Sequence, residues 1–212
     1  MAKSFVIWGC AGHAKVLASL IQSIGGEVLA FFDNKDIASV LSGVPVYVGE
    51  AGFQKWVKEA QSLSDVSGLV AIGGHGGADR IRIQKMFSAA GLGLDPLIHP
   101  TAFVCNTAKL GRGSQILAQA VVAADSKLGD ACIVNHKASV DHECLIGNGV
   151  HLAPGATLCG CVSVGENVMI GAGAVVLPRL KIGRDSLIGA GAVITRDVPS
   201  RSVIVGNPGR SR

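Results

Sequence analysis

The sequence predicts two fold classes in one chain: an α/β domain of parallel strands and crossover helices, then a parallel β-helix. Three observations carry this. Over the first 96 residues short apolar runs alternate with helical patterns, which implies a parallel sheet with crossovers. From Leu97 to Val198 the chain divides into seventeen consecutive sixes with no insertion or deletion. The second place of every six, from Ile98 through Val140, Ile146 and Ile170 to Ile194, is Ile, Val or Leu, and the sixth is Ala, Ser, Cys, Val or Leu. A strand repeats every two residues and a helix about every 3.6, so this period is neither. It fits stacked coils whose short flat faces each turn one aliphatic side chain inward. Domains are expected at 1–96 and 97–212.

The elements follow in order. Ser4–Trp8 reads as an apolar strand, and Gly9 to His13 as a turn. Ala14 to Ser23 is an amphipathic helix stopped by Gly25 and Gly26. Glu27–Phe32 is a second strand ending at Asp33-Asn34, and Val44–Val48 a short third. Gly52–Ser62 is helical, Gly68–Ile72 a buried strand, and Asp79 to Ala90 a last helix. In the repeat, glycine follows the aliphatic at Gly111, Gly129, Gly147, Gly165, Gly171, Gly183 and Gly189, where tight corners are expected.

Composition narrows the function classes. Charged residues make up 16% and apolar ones 49%, a surface suited to partial burial in an oligomer. The net charge of +4 comes without a Lys/Arg run or interleaved aromatics, which argues against nucleic acid. It suits anionic small molecules. No apolar run approaches a membrane span and none reads as a signal peptide, so a cytoplasmic location is expected. The six cysteines are scattered. Cys159 and Cys161 form C-x-C without a second pair, so all six are read as reduced thiols and no metal site is assigned.

The first strand–helix turn is the natural ligand loop of this Rossmann-like domain, at a strand's carboxyl end and a helix N-terminus. It lacks G-x-G-x-x-G, since Lys15 stands at the third glycine place, which excludes a dinucleotide fingerprint. Gly12 and His13 still offer N–H groups and a polar side chain to an anion, and Asp33 sits where such folds read a ribose or base. Within the repeat, His136, His142 and His151 stand out, because a bare six seldom needs histidine. His142 lies between Asp141 and Glu143, and a carboxylate bonded to an imidazole fixes its tautomer. Adjacent residues of an extended segment point apart, so Glu143 reaches His142 only at a corner or across a subunit boundary.

Five stretches together resemble one family: Gly9 to Lys15 (G-x-x-G-H-A-K), Ala71-Ile72-Gly73, Ile98 to Ala102 (IHPTA), Asn135 to Gly147, and Val205 to Pro208. They are similar to the hexapeptide-repeat sugar O- and N-acetyltransferases, which include sialic acid O-acetyltransferases and UDP-4-amino-sugar N-acetyltransferases of bacterial glycan synthesis. The resemblance implies a left-handed β-helix and acetyl-CoA as co-substrate without a metal. It also implies a nucleotide-sugar partner and a homotrimer with active sites between subunits. It makes His142 the general base and Glu143 the acid that tunes it. It assigns the nucleotide-sugar to Gly12, His13, Asp33, Asn34, Gly73 and Asn135, and acetyl-CoA to His151, Ala172 and Ala190. The chain departs from the family pattern at Asn34, where a second acid is usual, and at Gly209, where alanine is. N-acetylation is the leading expectation. O-acetylation of a sialic-acid-type sugar and a non-catalytic sugar-nucleotide-binding β-helix are the alternatives.

Overall fold

The computed structural model describes residues 3–60, 62–63 and 65–212. They fall into two compact units. One takes the chain up to Ile72 together with Arg82–Asp95; the other takes Gly73–Ile81 together with Pro96–Arg212.

The first unit is a four-stranded parallel sheet of β1 (Ser4–Trp8), β2 (Glu27–Asp33), β3 (Val46–Val48) and β4 (Val66–Val70), in the order β3-β2-β1-β4. The helices are α1 (Gly12–Ser23), α2 (Gly49–Glu59) and α3 (Gly77–Ala89), the last beginning in the second unit's segment. The core on one side is aromatic. Phe32 lies edge-on to Phe53 at 5.1 Å and stacks on Trp8 at 5.9 Å, with Phe87 alongside. Burying each such ring contributes about 1.5–3 kcal/mol.

Boundaries move by a few residues from expectation. Helix α1 begins at Gly12, because Ala11 is the last extended residue. Helix α2 starts and stops earlier than expected, since Ala60 turns extended. Gln61, inside the predicted helix, lies outside the described residues. Gly9 is required where it stands: its φ is +99°, and a Cβ there would lie 2.9 Å from the Ala71 carbonyl oxygen.

The second unit is a three-faced parallel β-helix. Two-residue strands recur at the first and second places of the sixes and pair in parallel with strands eighteen residues away. The second-place residues from Ile116 to Ile194 form one interior column set, with Cys132, Ala138, Cys144 and Ala156 among the sixth-place residues between them. Ile98, at the second place of the first six, is exposed instead. Small polar residues at the sixth place are neutralised by the neighbouring coil. Ser126 Oγ donates to Asp141 O at 2.7 Å, and the Cys132 and Cys144 thiols donate to Gly147 O and Cys159 O at 3.2 and 3.3 Å. Burial pushes both thiols up to about 11, so they stay protonated near neutrality.

The corner glycines differ from expectation. The left-handed backbone falls at the fifth place of the six, often on non-glycine residues such as Asp125, Lys137, Glu143 and Cys161. The third-place glycines have no positive φ. They are needed because the next coil passes too close: a Cβ on Gly165 would lie 2.6 Å from Arg184 N, and one on Gly171 2.5 Å from Ala190 N. Strand Val203–Val205 extends one face, and Arg210–Ser211 pairs with it antiparallel after a cis Asn207–Pro208 bond. Gly209 is closely packed, since a Cβ there would meet Ile204 Cγ2 at 2.8 Å. Among the described residues no helix is long and apolar enough to cross a membrane.

Candidate active site

The eighteen-residue coil stacks residues in columns along each corner of the prism. One corner carries Ala124, His142 and Gly160 in successive coils, with Glu143 N–H donating to Ala124 O and Cys161 N–H to His142 O. A second corner carries His136, Pro154, Ala172 and Ala190, joined in the same way through Gly155, Gly173 and Gly191. The face between them is built from the strand pairs Ser139–Val140, Thr157–Leu158, Val175–Val176 and Val193–Ile194.

At the first corner, Glu143 has φ +57°, which swings its side chain out of the extended alternation. Its Oε2 then lies 3.0 Å from His142 Nδ1 within one chain, so the pair needs no subunit boundary. A carboxylate only accepts, so the neutral imidazole carries its proton on Nδ1 and leaves Nε2 as an open acceptor. Asp141 serves differently: its Oδ1 accepts the His142 backbone N–H at 2.8 Å and fixes the corner's turn. The imidazole lies over Gly160, where a Cβ would approach Nε2 to 2.4 Å. Any side chain at that position would occupy the space of the ring. Gly160 was missed in the sequence, although it stands eighteen residues after His142, one coil further at the same place. Cys161 completes the corner, with Sγ 3.7 Å from Glu143 Oε2. Imidazole, carboxylate and thiol donor atoms there lie within 4.8 Å of one another.

His151 is placed otherwise. It is buried at 6% exposure on another face, with Nδ1 3.2 Å from Gly74 O and Nε2 3.2 Å from Asn135 Nδ2. The carbonyl fixes the proton on Nδ1, and the amide then donates to Nε2. Asn135 Oδ1 accepts the His136 N–H at 2.8 Å, which holds the amide in that orientation. Gly73 sits beside this ring, 3.9 Å from Cε1 to a Cβ position. The structure therefore brings Gly73, Asn135 and His151 together. It places Ala172 and Ala190 in one exposed corner column with Pro154, whereas His151 is buried. Arg80, also missed in the sequence, anchors the Gly73–Ile81 segment. Its buried guanidinium donates to Ala131 O at 3.0 Å and Gly149 O at 2.6 Å. Burial lowers it only to about 10, so it remains a cation.

In the first unit, Gly12 opens α1 with nothing within 4 Å of a Cβ, and no side chain caps the helix. Asp33 receives the Cys10 N–H on Oδ2 at 2.9 Å and the Lys35 N–H on Oδ1 at 3.0 Å. It thus holds the turn as well as offering its remaining lone pairs. Asn34 is exposed beside it and His13 is half-buried.

Comparison with known proteins follows the same division. The model of the PglD N-terminal domain matches residues 4–86, and that of the bacterial transferase hexapeptide (six repeats) matches residues 161–196. No curated protein matched the chain in a sequence search. Among solved structures, PerB from Caulobacter crescentus in complex with CoA and GDP-perosamine is 35% identical, with a TM-score of 0.89 over 99% of this chain and 97% of that one. The acetyltransferase domain of PglB from Neisseria gonorrhoeae FA1090, in complex with acetyl coenzyme A, is 34% identical, with a TM-score of 0.89 over 100% of both chains. WeeI from Acinetobacter baumannii AYE, at 24% identity and TM-score 0.87 over 98% of this chain and 99% of that one, shares the fold. The full-length match to the first two, together with the N-terminal and repeat matches, places this chain in the PglD-type family of hexapeptide-repeat sugar acetyltransferases.

Proposed function

We propose that the protein transfers the acetyl group of acetyl-CoA to the amine of a nucleotide-linked amino sugar, with His142 as general base. One observation carries the proposal: a half-exposed histidine whose Nδ1 is tied to Glu143 and whose Nε2 is an open acceptor above Gly160. A sugar amine is largely protonated at neutral pH, and only its neutral form attacks the thioester. Nε2 takes the proton that the amine nitrogen loses as the tetrahedral intermediate forms and collapses, while the CoA sulfur leaves. Glu143 holds the ring in the tautomer that can accept it.

The nucleotide is assigned to Gly12, His13, Asp33 and Asn34, where helix N–H groups and a carboxylate suit phosphates and a ribose or base. Gly73 and Asn135 are assigned to the sugar. Acetyl-CoA is assigned to His151 and to the small exposed corner of Ala172 and Ala190. Relatives that bind CoA with GDP-perosamine, or acetyl coenzyme A, support both ligand classes.

His142 and the Ala172/Ala190 column stand on different corners of one prism, so a shared site requires the corner of a second copy. The intervening face presents Phe103, Val121, Ser139, Thr157, Val175 and Val193 outward, without a charge. This supports a homotrimer in which that face packs between copies. A cytoplasmic site of action is part of the same reading, since acetyl-CoA is there.

The test is acetyl-CoA turnover against GDP-, UDP- and CMP-linked sugars with and without a free amine. Release of CoA thiol with formation of an amide on an amino sugar is expected. Transfer only to hydroxyls, as on a sialic-acid-type sugar, would replace N-acetylation with the O-acetyl alternative. Binding of nucleotide-sugars without any turnover would leave a binding protein.

A further inference from the structure

The corner that holds the proposed base also assembles a set of donors that the transfer reaction does not use. A ring nitrogen of His142, a carboxylate oxygen of Glu143 and Cys161 Sγ come from two successive coils and lie within 4.8 Å of one another. The carboxylate is 3.0 Å from the ring nitrogen and 3.7 Å from the sulfur. In a tetrahedral zinc site, bond lengths of about 2.0–2.3 Å put nitrogen and oxygen roughly 3.4 Å apart, and sulfur and oxygen roughly 3.6 Å apart. Two edges of such a site are thus nearly in place. The left-handed backbone at Glu143 and Cys161, φ +57° and +62°, aims both side chains off the same corner. Linear spacing concealed the set, because Cys161 stands one coil beyond Glu143 and not beside it in the sequence.

We propose that this corner captures one soft or borderline divalent cation, of the zinc or cadmium class, and that capture switches the transferase off. The inhibition rests on His142 being the base; the binding site does not. Coordination at Nδ1 displaces the proton that Glu143 holds there, and the thiol gives up its own proton to bind as thiolate. A neutral imidazole bound to metal through Nδ1 keeps its proton on Nε2. That nitrogen then has no lone pair with which to accept a proton from the sugar amine. Glu143 is withdrawn from the ring at the same time. The fourth position is left to water, as in other three-ligand sites. The cation is an inhibitor, and the transfer itself uses no metal.

The experiment titrates cadmium into the intact protein. It reads the ultraviolet thiolate-to-cadmium charge-transfer band together with acetyl transfer, in parent and Cys161→Ser. Serine can donate to Glu143 Oε2 as the thiol does, and the metal-free turnover of each protein is its own reference. The expected result is one equivalent of band in the parent, lost in the variant, with the half-inhibiting concentration raised at least tenfold by the substitution. Zinc should inhibit the parent and spare the variant in the same way. A band that persists in Cys161→Ser, or is missing from the parent, overturns the site. Full band with undiminished transfer overturns the switch and counts against His142 as the base. Should the parent show no transferase activity at all, the band alone still decides the site, and the failure belongs to the proposed function.

Discussion

The corner of His142 and the face of His151 are built from the same repeat, yet they use histidine in opposite ways. His142 is half exposed, with one ring nitrogen tied to a carboxylate and the other open over a glycine. His151 is buried, with a carbonyl on one nitrogen and an amide on the other. The first ring can exchange a proton; the second holds Gly74 and Asn135 in register. What separates them is their surroundings: a fifth-place left-handed residue beside one, and a covering segment pinned by Arg80 over the other.

The sharpest way to break this contrast is His142→Ala. Positioned base catalysis contributes roughly 10²–10⁴-fold, so kcat should fall by about that factor. Calorimetry should find both ligands still bound, and the melting temperature should stay near the parent's. Arg80→Ala comes next and acts on the other side of the comparison. It leaves the carbonyls of Ala131 and Gly149 unpaired, at about 1–3 kcal/mol each. Chemical denaturation should show the loss. Wild-type stability would mean the Gly73–Ile81 segment is not held by this cation.

His151→Ala should follow at about 1–3 kcal/mol of stability, for the partners it leaves at Gly74 and Asn135. Its effect on turnover should run through KM more than kcat. If kcat collapses while stability holds, the two histidines trade roles. The smallest effect is expected from Glu143→Ala. That contact is largely solvent-exposed, where such pairings contribute about 1 kcal/mol or less. A loss of roughly fivefold in kcat is therefore expected in steady-state assays, with no change in the apparent affinity for acetyl-CoA.

Much of this was legible in the sequence, and the reason is the period. A strict six fixes which residues point inward, so Val140, Ile146 and Ile170 could be placed in the interior and the parallel β-helix with them, while its left hand came only with the family resemblance. The alternation of apolar runs and helical patterns was enough for the parallel sheet. The pairing of His142 with Glu143 was visible as adjacency, but its geometry depends on a left-handed φ on a glutamate, which composition does not mark. Gly160 and Cys161 were hidden because their neighbour in space is eighteen residues away in sequence. The third-place glycines were read as turns because glycine usually marks one; here the approach of the next coil demands them. Arg80 carried no signal, since an arginine in an amphipathic helix reads as solvated until its carbonyl partners are seen.

The most direct test of the central claim is chemical rescue. The His142 side chain is 51% exposed, so a free imidazole can enter the space left in His142→Ala. With both substrates saturating, acetyl transfer by that variant should rise with imidazole concentration, above the rate of the same mixture without enzyme. Parental turnover in the variant before any imidazole is added, or a rate that stays flat across the imidazole series, would contradict His142 as the proton acceptor.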